Sequence, residues 1–152
     1  MQLYFNRAAR LSRGSWILSV AVLGFVFVNV LAPALSARQE KTVKEGVFTE
    51  AQAKRGEAIF QEQCAACHSA DLSGGAGPAL TGTEFLSIWD KIPLSDLVER
   101  IQVWMPASSP GTLNRQQVVD VVGYILQVGK FPAGQSDLTD DAAVLKTIVI
   151  VK

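Results

Sequence analysis

Both cysteines and the only histidine of this chain fall within five consecutive residues, Cys64-Ala65-Ala66-Cys67-His68. Two cysteines cannot supply a disulfide framework or a four-cysteine zinc site. The C-x-x-C-H spacing is instead a haem attachment signature, and the spacing has a physical reason. Residues at i, i+3 and i+4 share one face of a helix. Two sulfurs on that face can meet the two vinyl groups of one haem as thioethers, while the imidazole beside them reaches the iron. The competing reading is a thioredoxin-like redox pair. Such a pair normally opens a helix after a strand, whereas this one closes a helix that begins near Thr49. His68 has no rival histidine for the ligand role.

A second ligand follows by elimination. Of the two methionines, Met1 lies in the leader, which leaves Met105. The commoner use of methionine is as a flexible core filler. Met105, however, sits just past a helix and before Pro106, where the backbone is pushed to an extended conformation and core filling has no special call. A thioether is a soft ligand that raises the potential of a haem iron, and two protein ligands leave no open position for oxygen or peroxide. Gly77-Pro78-Ala79-Leu80 is a candidate support. Pro78 has a carbonyl and no N–H, so it can only accept, here from Nδ1 of His68, leaving Nε2 for iron. Leu80 would press on the haem face. Without the pentapeptide, an ordinary turn explains that segment equally well. Trp89 and Arg100 could each donate to a haem propionate, but a core ring and a solvated helix charge are the simpler readings. Trp104 reads as a pocket wall.

The rest of the chain divides by composition. Residues 1–36 carry Arg7, Arg10 and Arg13 and no acid, followed by the apolar run Trp16 to Val28 and the small residues Ala32, Ala34, Ser36 and Ala37. That order is a secretory signal peptide, with cleavage after Ala34 or Ser36. An uncleaved membrane anchor is the alternative, since residues 14–37 are uncharged and just long enough to span. Either way the remainder lies outside the cytoplasm. With the leader removed, 11 basic residues face 14 acidic ones, a net charge of about −3. Such a chain has no basic face for nucleic acid.

Residues 37–48 read as a linker or loose terminus, and 49–128 as the folded domain. Thr49 with Gln52, and Asn114 with Gln117, are capping boxes that open helices running to about Gln63 and Val128. Gly129 suits the stop of the second. A short helix is expected over 84–89 and another from Ser95, as N-cap, with Leu97, Val98 and Ile101 as its stripe. Residues 129–152 form a strap whose TIVIV run could be extended or helical.

Residues 49–128 resemble a class I mono-haem c-type cytochrome. The resemblance rests on Cys64-x-x-Cys67-His68, the Gly-Pro-x-Leu loop at 77–80, Met105-Pro106, and a terminal helix with an aromatic. It implies an all-α fold of four or so short helices around one covalent haem c, with the first and last helices crossing. Gly56 and Phe60 would meet Gly123 and Tyr124 at that crossing. Residues 83–89, Leu97 to Ile101 and Phe131-Pro132-Ala133-Gly134 are further similar to small cytochromes linked to quinoprotein alcohol dehydrogenases and to cytochrome subunits of haem–copper oxidases. The resemblance implies a periplasmic one-electron carrier of a respiratory chain. It would bind haem through Cys64, Cys67, His68, Pro78, Leu80 and Met105, with His68 and Met105 on the iron. The implied partners are a quinoprotein dehydrogenase and a terminal oxidase, and no small-molecule substrate. The alternative is a dedicated cytochrome subunit of such a complex. No dehydrogenase activity is implied, because the quinone-binding propeller has no counterpart in the sequence.

Overall fold

The computed structural model describes residues 40–152. The segments expected as a signal peptide, 1–36, or as the alternative anchor, 14–37, fall outside them. The described unit is all-α, as expected: α1 Glu50–Gln63, α2 Ala65–His68, α3 Gly82–Trp89, α4 Leu94–Trp104, α5 Arg115–Val128 and α6 Ala142–Leu145. A 3-10 turn at Val43–Glu45 precedes them. Two short strands, β1 Lys41–Thr42 and β2 Ile148–Val149, pair in parallel and tie the ends of the unit together. Among the described residues, no helix is long and apolar enough to cross a membrane.

The core forms where α1 crosses α5. Ala53, Gly56 and Phe60 of α1 are buried against a run from Val118 to Leu126. Phe60 and Tyr124 meet at this crossing with ring centroids 5.4 Å apart and tilted by 53°. The two glycines are not equivalent. A Cβ on Gly56 would run into the Asp120 carbonyl and lie 2.9 Å from the Val121 nitrogen. A Cβ on Gly123 would meet the Gln52 side chain at 3.5 Å, an ordinary contact. Close approach therefore rests on Gly56, and the expected role of Gly123 is corrected.

Helix ends follow local chemistry with three exceptions. Asn114 and Gln117 make the full reciprocal box, each side chain accepting from the other's backbone N–H at 2.9 Å. Thr49 accepts from the Gln52 N–H at 3.0 Å, but Gln52 does not reach back. Its fully buried amide donates to the Leu138 carbonyl at 3.0 Å and to Asp120 Oδ1 at 3.1 Å, and accepts from the Leu138 N–H at 2.5 Å. The backbone of Leu138 would otherwise be buried without partners, so the tertiary demand overrides the cap. The second exception is Ser95. The helix starts two residues earlier, with Pro93 at the cap and its carbonyl accepting from the Asp96 N–H at 3.0 Å, while the Ser95 hydroxyl donates to Asp96. The third is Gly129, whose φ is −67°. Lys130 takes the left-handed position at φ 68°, and Lys130 and Phe131 donate to Gln127 and Leu126 in a Schellman pattern one residue later than expected.

Residues 40–48, expected as part of a linker, are packed instead. Val43, Val47 and Phe48 are buried, and the Phe48 carbonyl accepts from the Gly134 N–H at 2.6 Å. Three apolar residues scattered among charges have no periodicity to reveal this. The strap is equally anchored, through Leu138, Leu145, Ile148 and Ile150. Its TIVIV run is extended: β2 lies beside β1, and Ile150 exchanges backbone hydrogen bonds with Lys91 and Ile92 at 2.7 and 3.0 Å. Residues 40–152 form one compact unit.

Gly56→Ala should therefore lower unfolding free energy by about 2–3 kcal/mol, the cost of overpacking against backbone. Gly123→Ala should be neutral or raise it by about 0.5–1 kcal/mol through helix propensity. Denaturant unfolding of the two variants measures the difference.

Candidate functional site

Helix α1 delivers Cys64 to its end and stops there. The Cys64 N–H donates to the Phe60 carbonyl at 2.8 Å, and its φ and ψ of −124° and −33° leave the helical path. The Cys64 carbonyl then accepts from the N–H groups of both Cys67 and His68, at 3.1 and 3.0 Å. This one turn, α2, gathers the positions i, i+3 and i+4. The expected grouping holds, though on a new turn rather than on the last turn of α1. Cys64 is half-buried, Cys67 exposed and His68 buried, and the two thiols are not joined.

The thiols do not suit a dithiol redox couple. Burial pushes the Cys64 thiol up to about 11, and the neighbouring Cys67 adds a smaller push. A nucleophilic C-x-x-C cysteine needs the opposite shift. Half-burial beside an apolar wall suits a sulfur that ends up as an uncharged thioether.

His68 is fixed from two sides by the loop that follows it. Its Nδ1 lies 2.8 Å from the Pro78 carbonyl. That carbonyl can only accept, so the ring proton sits on Nδ1 and the lone pair on Nε2. Gly77 lies flat against the imidazole: a Cβ there would stand 2.7 Å from Cε1, 2.9 Å from Nδ1 and 3.1 Å from Nε2. The loop is held in place by bonds from Gly77 N–H to the Cys67 carbonyl at 2.9 Å and from Gly74 N–H to the His68 carbonyl at 3.0 Å. Leu72, fully buried, plugs it into the core, and its carbonyl accepts from the Leu80 N–H at 2.9 Å. Sequence reasoning named Pro78 and missed Gly77 as the ring's platform. Pro78 was readable as the acceptor for Nδ1, whereas nothing in the spacing sets Gly77 against the ring.

Met105 caps α4 in an extended conformation, φ −121° and ψ 153°, with its N–H on the Ile101 carbonyl at 3.0 Å. Its side chain is half-buried, and it packs on the same core as the half-buried Cys64, Leu80, Leu86 and Trp89. Trp104 beside it is 60% exposed. Trp89 stacks near Phe85, with centroids 6.2 Å apart, and Arg100 lies exposed on the outer face of α4. Neither is drawn toward His68 by any hydrogen bond among the described residues. A fixed imidazole with a free Nε2, two unjoined thiols on its own turn, and a half-buried apolar rim are the donor set and wall that a haem requires.

Comparison with known proteins agrees with this chemistry. Residues 51–125 match the family described as Cytochrome C oxidase, cbb3-type, subunit III. Cytochrome c-551 of Bacillus subtilis is 43% identical over 65 residues, which cover 41% of this chain and 57% of that protein. The chain thus spans little more than half the length of that relative. The cytochrome c-553-like protein of Synechocystis sp. is 31% identical over 104 residues, covering 67% of this chain and 95% of that protein. The crystal structure of the sulfane dehydrogenase SoxCD from Paracoccus pantotrophus overlaps with a TM-score of 0.47 at 18% identity, over 73% of this chain and 60% of that one. That overlap is too loose to fix a shared fold.

Gly77→Ala should displace the imidazole and break its bond to Pro78. Nitrogen NMR of His68 should then show a mixture of ring tautomers in place of one. Pro78→Ala keeps the carbonyl and should retain the single tautomer.

Proposed function

Since this chain belongs to the c-type cytochromes, electron carriers with one covalently bound haem c, we propose that it shuttles single electrons outside the cytoplasmic membrane, using His68 and Met105 as axial ligands. The haem supplies a one-electron ferric–ferrous couple. The residues of the chain hold and tune it. Cys64 and Cys67 tether it as thioethers. His68 presents Nε2, because Pro78 occupies Nδ1. The observation that carries this reading is that 2.8 Å bond, which fixes the ring tautomer and leaves the Nε2 lone pair for iron. Met105 offers a soft thioether that favours the reduced state, and Leu80 closes the apolar wall. With His68 and Met105 both holding the iron, the site would pass electrons and leave no position for oxygen or peroxide.

The basic leader with its apolar run supports a periplasmic location, either released after cleavage or anchored through residues 14–37. Electrons would enter from a quinoprotein dehydrogenase and leave to a terminal oxidase. A second reading is a dedicated subunit of an oxidase or dehydrogenase complex, and the match to an oxidase subunit family favours it. Purification from native membranes separates the two: a stoichiometric complex supports the subunit, and a free protein the shuttle.

Two further outcomes are expected. Met105→Ala should abolish the weak near-infrared sulfur-to-iron band of the oxidised protein, lower its potential and open the reduced protein to carbon monoxide. An unchanged spectrum would move the ligand elsewhere. Mass spectrometry of the native protein should give a mature chain starting near Leu35 or Ala37 and carrying haem that acid acetone does not strip. A full-length mass would assign the anchor instead.

A further inference from the structure

The segment that follows Met105 is buried at its two ends, Pro106 and Leu113, and sparsely hydrogen-bonded between them. Pro106 to Leu113 contains no helix or strand and is rich in small and turn-forming residues. Two of its hydrogen bonds are internal: Ser109 N–H to the Pro106 carbonyl at 2.9 Å, and the Thr112 hydroxyl to the Ser109 carbonyl at 2.9 Å. The bond back to Met105, from the Gly111 N–H, is long at 3.4 Å. Among the described residues, one further hydrogen bond ties it to the rest of the chain, and it is the short one. Gln102 Nε2, in the last turn of α4, donates to the Leu113 carbonyl at 2.7 Å. Leu113 is itself buried, just before the Asn114 cap of α5. The Gln102 amide therefore closes the loop at its far end, while the Ile101 carbonyl holds Met105 at the near end.

The other half of that amide has no partner: Gln102 Oε1 is buried and accepts no hydrogen bond. Turning the amide over would set oxygen against the Leu113 carbonyl, so the present orientation is the one that makes a bond. For stability alone, an apolar side chain of similar volume would serve as well, because it would remove an unmet buried acceptor. What the amide adds is a tether across the loop. We propose that Gln102 is a positioning residue for Met105, restricting the 105–113 segment so that the thioether stays on the iron. This rests on Met105 being the axial ligand. The physical basis is that a loop fixed at both ends has fewer conformations in which its methionine can swing away.

The test uses the haem-loaded full chain. Two readouts follow: the pH at which the oxidised protein loses its sulfur-to-iron band, and the carbon monoxide association rate of the reduced protein. Gln102→Leu should keep the wild-type melting temperature or raise it. It should nevertheless lose the band about one pH unit lower and bind carbon monoxide about fivefold to tenfold faster, the weight of one hydrogen bond. Gln102→Glu has the same shape but no donor when ionised. It should match the leucine variant at neutral pH and recover the wild-type carbon monoxide rate at acid pH, where its protonated carboxyl can donate to Leu113. That recovery decides the matter even if the leucine variant does not fold. Wild-type values for both variants, with the band lost in Met105→Ala, would overturn the tether and leave the ligand standing. A band that survives Met105→Ala would overturn both.

Discussion

The fold depends on how closely α1 can approach α5. At Gly56 the absence of a side chain lets the backbone of one helix rest on the Asp120 carbonyl of the other. That contact fixes two helices of 14 residues each, and the functional loops hang from their ends. The C-terminal end of α1 delivers Cys64 and the turn to His68. The N-terminal end of α5 receives the segment that begins at Met105. Neither loop needs an extensive framework of its own, because the crossing supplies one. Asp120 lies in the same contact as a buried carboxylate. It accepts from Gln52, Gln116 and Arg55 at 2.8–3.1 Å, so its charge is met on every side that the crossing covers.

Arg55 extends this arrangement outward. Its guanidinium bridges Asp120 to Asp137, and Thr49 donates to Asp137 as well. The Thr49 hydroxyl and Arg55 hold the Asp137 carboxyl below the usual carboxylate range. A depressed carboxylate adds stability above its unfolded pKa, about 4, and that contribution is lost as pH falls through the lower folded value. Arg55 and Asp137 are both largely exposed, so solvent screening keeps the contribution small. The arrangement serves chiefly to set where the strap leaves α5 and crosses α1.

Local chemistry was legible in the sequence and long-range demands were not. The Asn114–Gln117 box, the stripe of α4 and the five-residue attachment motif are all decided within a few residues of each other, and each lies where its spacing puts it. Gln52 is a cap residue by spacing but a core residue in fact, because a backbone segment 86 positions away needs its amide. Phe48 looked like part of a linker because its partners, Gly134 and Gly123, lie in the strap and in α5. Gly77 stands in the Gly-Pro-x-Leu loop with no sign of its contact to the ring, and Gln102 carries no motif at all. One is visible only as a ring's neighbour and the other only as a loop's neighbour. The haem itself, the attachment and the family were readable from five residues and a proline loop. What holds the segment after Met105 was not, since Gln102 meets the Leu113 carbonyl 11 positions away.

The parallel pairing of β1 with β2 joins Lys41 to Ile148 and so closes almost the whole unit into a ring. Closing so long a loop is entropically expensive and is not repaid until the core beneath it exists. The turn from Cys64 to His68, by contrast, closes over four residues. The order of assembly follows from that disparity. A chain whose ends are still apart can present both thiols and the imidazole on the turn that follows a nascent α1. Maturation of the cofactor site and locking of the domain thus become separable events, and the covalent one can come first.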